Sequence, residues 1–223
     1  MKIAIIAAME KECSQLRKFF CNSNVQIFKC GIGKVSAALK TQEIIRSFHP
    51  DAIISSGCAG GNGDEINLKD VVVSSQLAYH DVYCGCALGN EIQFGQVQGM
   101  PPRYNADPQM LKIAQNLSLS NTNTHIHSGL IVTGDWFVDS KEKIQSILGN
   151  FPEAKAVDME SCAIAQTCYM NKTPFISFRI ISDIPLKDSN ASQYHNFWET
   201  LADESFEVTR TFIEDLLLLN FKS

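Results

Sequence analysis

Short apolar runs rich in Val and Ile recur along the chain, and stretches with helical spacing separate them. The runs are "KIAIIAA", "VQIFKC", "DAIISSG", "DVVVSSQLAY", "GLIVTG", "AKAVDM" and "PFISFRIISD". Several are apolar throughout instead of alternating, which is the pattern of strands buried on both faces. Helical spacing covers 10–20, 34–48, 107–117, 140–149, 160–170 and 197–219. Alternation of the two kinds predicts an α/β domain with a largely parallel sheet between helix layers. No repeat, low-complexity tract or linker interrupts the pattern, so the 223 residues read as one domain, 1–223.

Composition excludes several partners. The apolar fraction of 45% and charged fraction of 19% suit a globular chain with a sizeable core. The net charge is -5 and no Lys/Arg cluster appears, which argues against a nucleic-acid backbone as partner. No apolar run approaches the ~18 residues that a membrane span needs. "MKIAIIAAM" looks like the start of a signal peptide, but its apolar stretch is short and Glu10, Lys11 and Glu12 follow at once. It reads as a buried first strand. The eight cysteines are even in number, yet a disulfide framework belongs to short secreted chains, and most of these lie in apolar segments. The expectation is a reducing, cytoplasmic location. The close pair in "CGC" (84–86) has no second pair at zinc-ligand spacing, so no metal and no cofactor is expected.

In sheets of this kind ligands bind at the carboxyl ends of strands. Those ends carry "MEKE", "CGIGKV", "SGCAGG", "TGDWFVDS", "VDMES" and "RIISD". "SGCAGG" (56–61) follows an apolar run and reads equally as a tight turn or a ligand loop. It lacks the Lys-Ser/Thr of a P-loop and the spacing of a dinucleotide fingerprint. Glu12 fits the first turns of a helix, where acids are favoured. Ser182 and Asp183 fit a strand cap or an acid at the mouth of a site. Phe137 fits core or a stacking surface. In "AVDMESCAIA" (156–165), Asp158 and Glu160 would share one side if a strand ran through both. Apolar neighbours predict burial, which is costly for a carboxylate unless it is paired. Asp158 can cap the helix that follows; Glu160 can grip a polar ligand.

Taken in order, "MKIAIIAAMEKE", "KCGIGKVSAAL", "SGCAGG", "YHD", "GLIVTGDWFV", "AVDMESCAIA" and "RIISD" span nearly the whole chain. The set resembles the 5'-methylthioadenosine/S-adenosylhomocysteine nucleosidases, within the wider purine nucleoside phosphorylase family. The resemblance implies a three-layer α/β/α sandwich around a central mixed, largely parallel sheet. It implies a homodimer in which loop 82–102 reaches the partner's pocket. It also implies hydrolysis of the bond between adenine N9 and ribose C1'. Under it, Asp183 donates a proton to adenine N7 and Ser182 helps to hold it. Glu12 is the general base for the attacking water, and Arg179 sits near that water. Glu160 holds the ribose hydroxyls with Met159 packed on the sugar. Phe137 stacks on adenine while backbone at Val138 reads its edge, and Ile32 and Tyr194 line the pocket for the 5' substituent.

The chemistry asks for these residue types on its own account. N-glycoside cleavage passes through an oxocarbenium-like state that carboxylates stabilise, and adenine leaves poorly unless a ring nitrogen is protonated. Three departures from the family stand out. The segment 21–24 is short, Cys58 stands where many members have Ser, and loop 82–102 is longer and more polar. Three other readings stay open at this level: a phosphorylase of the same fold, an aminofutalosine-type nucleosidase, and a non-catalytic nucleoside-binding or storage protein.

Overall fold

The first strand, β1 (Ile3–Ala7), is buried along its whole length, and its side chains divide between two cores. Ile3 and Ile5 face one helix layer, Ala4 and Ile6 the other. This is the sequence pattern of a central strand made literal, with both pleat faces apolar because both are covered. The computed structural model describes residues 1–20, 24–85, 92–117, 124–187, 193–194, 196–197 and 206–218. The remaining strands are β2 (Val25–Lys29), β3 (Ala52–Gly61), β4 (Val71–Tyr79), β5 (Tyr104–Asn105), β6 (Ile126–Thr133), β7 (Ala154–Asp158) and β8 (Phe175–Asp183). The helices are α1 (Glu10–Arg17), α2 (Lys34–Phe48), α3 (Pro108–Gln115), α4 (Lys141–Asn150), α5 (Ser161–Asn171) and α6 (Glu207–Leu218).

The sheet is mixed and largely parallel. Parallel pairs join β1 to β2, β1 to β3, β3 to β8, β4 to β6 and β6 to β7. Antiparallel pairs join β3 to β7, β4 to β5 and β4 to β8. The path from β3 through β8, β4, β6 and β7 returns to β3, so five strands form a closed circuit. The β3–β7 junction is two residues long, Gly60 opposite Val157 and Gly61 opposite Ala156. Both strands contribute their carboxyl ends there, so two parallel sets meet head-on.

Helices cover both faces. Leu16 of α1, Met110 of α3 and Phe212 of α6 share a core with Ile54 and Phe178. Ala37 and Ile44 of α2 share the opposite core with Ile164 of α5 and Ile131. Ile144 and Ile147 of α4 pack on Val132 and Val157. In α5 the successive residues Ser161–Ala165 are all buried, because the helix is wedged between the sheet and α2.

Several sequence expectations change. "SGCAGG" is not a loop after a strand; it is the second half of β3, paired with β8 from Ser56 to Gly60 and with β7 at Gly60 and Gly61. Bare backbone is needed because a Cβ on Gly57 would lie 2.6 Å from Glu12 Oε1 and 2.9 Å from Arg179 Nη1. β7 ends at Asp158 and Glu160 is the N-cap of α5, so the two acids do not share one strand face. The expected 197–219 helix appears as Glu207–Leu218. Residues 21–23 of the short segment, 86–91 of the long loop and 198–205 of that helix lie outside the described residues. Among the described residues, no helix is long and apolar enough to cross a membrane.

Candidate active site

One cleft opens where the carboxyl ends of β1, β3, β7 and β8 converge. It is lined by Ala8, Met9 and Glu12 after β1, by Ile32, by Cys58–Gly60 of β3 and by Trp136–Val138 after β6. Val157–Glu160, Ser182, Asp183 and Tyr194 complete it. All the candidate residues read from the sequence line this cleft except Arg179. Met9 and Trp136 were missed. The apolar neighbour of Phe137 in "DWFV" was the available signal for Trp136; nothing singled out Met9.

Glu12 is held by backbone. Its Oε2 accepts from Ala8 N and Met9 N, both at 2.9 Å, and its Oε1 accepts from Cys58 N at 3.0 Å. It therefore serves α1 as a first-turn acid and also faces the cleft. Burial raises its pKa, against the pull of Arg179 and those three N–H groups. A buried carboxylate so placed is a stronger base than one in water. Lys11, its neighbour in the chain, is exposed, whereas Glu12 is buried.

Asp158 has a structural role. It accepts from Thr133 Oγ1 and from Arg179 Nε, both at 2.5 Å, and from the hydroxyl and N–H of Ser161. Arg179 is 3% exposed and its Nη2 also donates to Ser55 Oγ at 2.7 Å. The guanidinium thus stands behind the cleft wall, balancing the charge of Asp158, Glu160 and Glu12. Glu160 accepts from Gly33 N at 2.9 Å. Burial, then the charge of Asp158, pushes its pKa up to about 7.

At the far side, burial pushes the pKa of Asp183 up to about 6. Ser182 Oγ donates to Asp183 Oδ1 at 2.8 Å, so the serine holds the aspartate itself. The cleft mouth is aromatic: Phe137 meets Tyr194 edge-on at 5.7 Å, and the Tyr194 hydroxyl lies 3.7 Å from Met9 Sδ. Ile32 and Phe137 are 59% and 50% exposed, so both offer apolar surface at the cleft mouth. Burial raises the Cys58 thiol far above its ordinary value, leaving it a neutral wall group.

Three acids with raised pKa values, one of them clamped by backbone, and an aromatic mouth define a site for a flat, polar ligand with hydroxyls. The phosphorylase superfamily model matches residues 18–214. A 5'-methylthioadenosine/S-adenosylhomocysteine nucleosidase of Exiguobacterium sp. is 39% identical, over 92% of this chain and 94% of the relative. The same enzyme of Geobacillus sp. is 38% identical over 97% and 99%. Among solved structures, the Neisseria meningitidis nucleosidase in complex with methylthio-immucillin-A superposes with a TM-score of 0.88 at 34% identity, covering 96% of this chain and 99% of that one. The Colwellia psychrerythraea enzyme in complex with adenine gives 0.89 at 33% identity, covering 97% and 96%. The chain belongs to the 5'-methylthioadenosine/S-adenosylhomocysteine nucleosidase family of that superfamily.

Proposed function

We propose that this chain hydrolyses the N-glycosidic bond of 5'-methylthioadenosine and S-adenosylhomocysteine, releasing adenine. The observation that carries the reading is one cleft holding Asp183, Glu160 and a backbone-clamped Glu12. Relatives with bound adenine and bound methylthio-immucillin-A support the class of ligand.

The chemistry divides among these groups. Asp183 keeps its proton to a higher pH than a free carboxyl and gives it to adenine N7, while Ser182 orients it. The C1'–N9 bond breaks and adenine departs with that proton. Positive charge grows on the ribose, and the Glu160 carboxylate accepts hydrogen bonds from the sugar hydroxyls and stabilises it. Water adds its oxygen to C1' and yields a proton to Glu12. Phe137 stacks on the base, Val138 meets its edge through backbone, Met159 packs on the sugar, and Ile32 and Tyr194 face the 5' group. Arg179 does not line the cleft; it holds Asp158 and biases Glu12 and Glu160 toward their charged forms.

The test is release of free base from methylthioadenosine, S-adenosylhomocysteine, adenosine and inosine. We expect adenine from the first two at rates well above hypoxanthine from inosine. Hypoxanthine release with no turnover of either thio-nucleoside would overturn the assignment.

A further inference from the structure

The two rims of the cleft are tied together by a cluster that the chemistry does not use. On one rim the turn Gly31–Gly33 carries Ile32 and leads into α2. On the other, Gly134–Val138 follows β6 and carries Phe137. Lys34 Nζ lies 2.7 Å from both Oδ1 and Oδ2 of Asp81, and 3.7 Å from Asp135 Oδ2. Lys34 N donates to Asp135 Oδ1 at 2.8 Å, and Asp135 N donates to Asp81 Oδ2 at 2.9 Å. The Lys34 and Asp81 side chains are only 22% and 10% exposed, so water screens the pair less than a surface bridge.

The residue before Lys34 completes the link. Gly33 N donates to Glu160 Oε1, so successive N–H groups at the start of α2 grip one carboxylate from each side of the cleft. Gly33 has φ +90, a conformation L side chains rarely adopt, and a Cβ there would lie 2.9 Å from Asp135 Oδ1. Backbone, ammonium and two aspartates thus fix the separation of Ile32 and Glu160 from Phe137.

We infer that Lys34 is a positioning residue: with Asp81 and Asp135 it is a strut that sets the sugar-side rim against the base-side rim. A ligand spanning both rims should feel the strut; one touching the base side alone should not. This rests on the proposed reading of the cleft, in which Phe137 meets adenine and Glu160 meets ribose. A shift near 1 Å in such a site can lower catalysis about a hundredfold.

The experiment compares Lys34→Met, Lys34→Arg, Asp135→Asn and the Lys34→Met/Asp135→Asn double variant. For each we would measure kcat and KM for methylthioadenosine, its Kd by calorimetry, and inhibition by adenine alone. Lys34→Met should lower kcat/KM about ten- to hundredfold and leave the adenine inhibition constant within about threefold. Lys34→Arg should restore most of the loss. The double variant should be no worse than Lys34→Met, since members of one unit are not additive. Equal losses for adenine and nucleoside, additive losses, or a kcat/KM within twofold of wild type in folded Lys34→Met would each overturn the strut. If Lys34→Met does not fold, Asp135→Asn alone decides, because it leaves the Lys34–Asp81 pair in place. A wild-type protein that binds methylthioadenosine without cleaving it would sink the proposed chemistry instead, and the Kd values would still measure the strut.

Discussion

Asp183 stands at the last residue of β8, where burial works against its charge. Its folded pKa of about 6 exceeds the ordinary 3.8. Stability linked to its proton is therefore complete below the unfolded value and is lost as pH rises through 6. Asp183→Asn removes that loss, because an amide has no charge to bury. At pH 8 the variant should melt several degrees higher than wild type, each 1 kcal/mol being worth roughly 2–4 °C in a chain this long. Its turnover should fall ~10²–10⁴-fold, the usual worth of general acid catalysis. Turnover above about a third of wild type would remove Asp183 from the acid's role. Asp158 and Glu160 drew notice in the sequence because carboxylates among apolar neighbours demand a reason, and Glu12 and Asp183 because they stand at strand ends and match the family's motifs. Their division of labour was less legible. Asp158 was expected to have a structural role, but its partner Arg179 lies 21 residues on, and only the fold brings them together. The same holds for Glu12, whose third N–H donor comes from Cys58.

At the scale of elements, the seven apolar runs all became strands; of the helical stretches, 34–48 kept its bounds, 140–149 and 160–170 moved by one residue, 10–20 and 107–117 are shorter, and the described part of 197–219 is helical over Glu207–Leu218. Two features escaped. β5 has two residues, too few for any periodicity. The glycines of "SGCAGG" suggested a loop, yet β3 continues through them, paired with β8, and the bare backbone at Gly57 leaves room for Glu12 and Arg179. Glycine marks close approach as readily as a turn, and local sequence does not separate the two. The N-cap of α3 was not singled out in the sequence. Asp107 precedes Pro108 and its Oδ1 accepts from Gln109 N and Met110 N, both at 3.0 Å. Asp107→Ala should cost about 1 kcal/mol, the usual worth of an N-cap. Because α3 does not line the cleft, kcat/KM should stay at the wild-type value. Denaturant melts and steady-state kinetics on one preparation check both. An altered kcat/KM with unchanged stability would show that α3 reaches the site.

For the whole molecule, an α/β domain with a largely parallel sheet between helix layers was legible from alternation of runs, and the three-layer sandwich around a mixed sheet from the family resemblance. The circuit from β3 around to β7 was not, since pairing order leaves no mark on periodicity. The surface carries exposed apolar side chains. Ile32, Val35 and Leu39 are 59%, 70% and 68% exposed, and the latter two lie on one face of α2 near the cleft. In the long loop, Tyr83 and Phe94 stack at 5.5 Å and remain exposed, while Val97 and Met100 pack onto the core instead. We propose that these patches meet in a homodimer. Light scattering at micromolar protein should give twice the monomer mass, and Leu39→Glu should shift it toward monomer; a wild-type monomer with full activity would contradict this. Above all, water is the proposed acceptor. Glu12 is the carboxylate assigned to the attacking water, and a phosphate dianion beside it would be repelled by several kcal/mol at low effective dielectric. The most direct measurement supplies methylthioadenosine, varies phosphate from none to tens of millimolar, and identifies the sugar released. Free methylthioribose at a rate indifferent to phosphate is the expected result; a phosphate-dependent rate yielding the sugar 1-phosphate would show that phosphate, not water, is the acceptor.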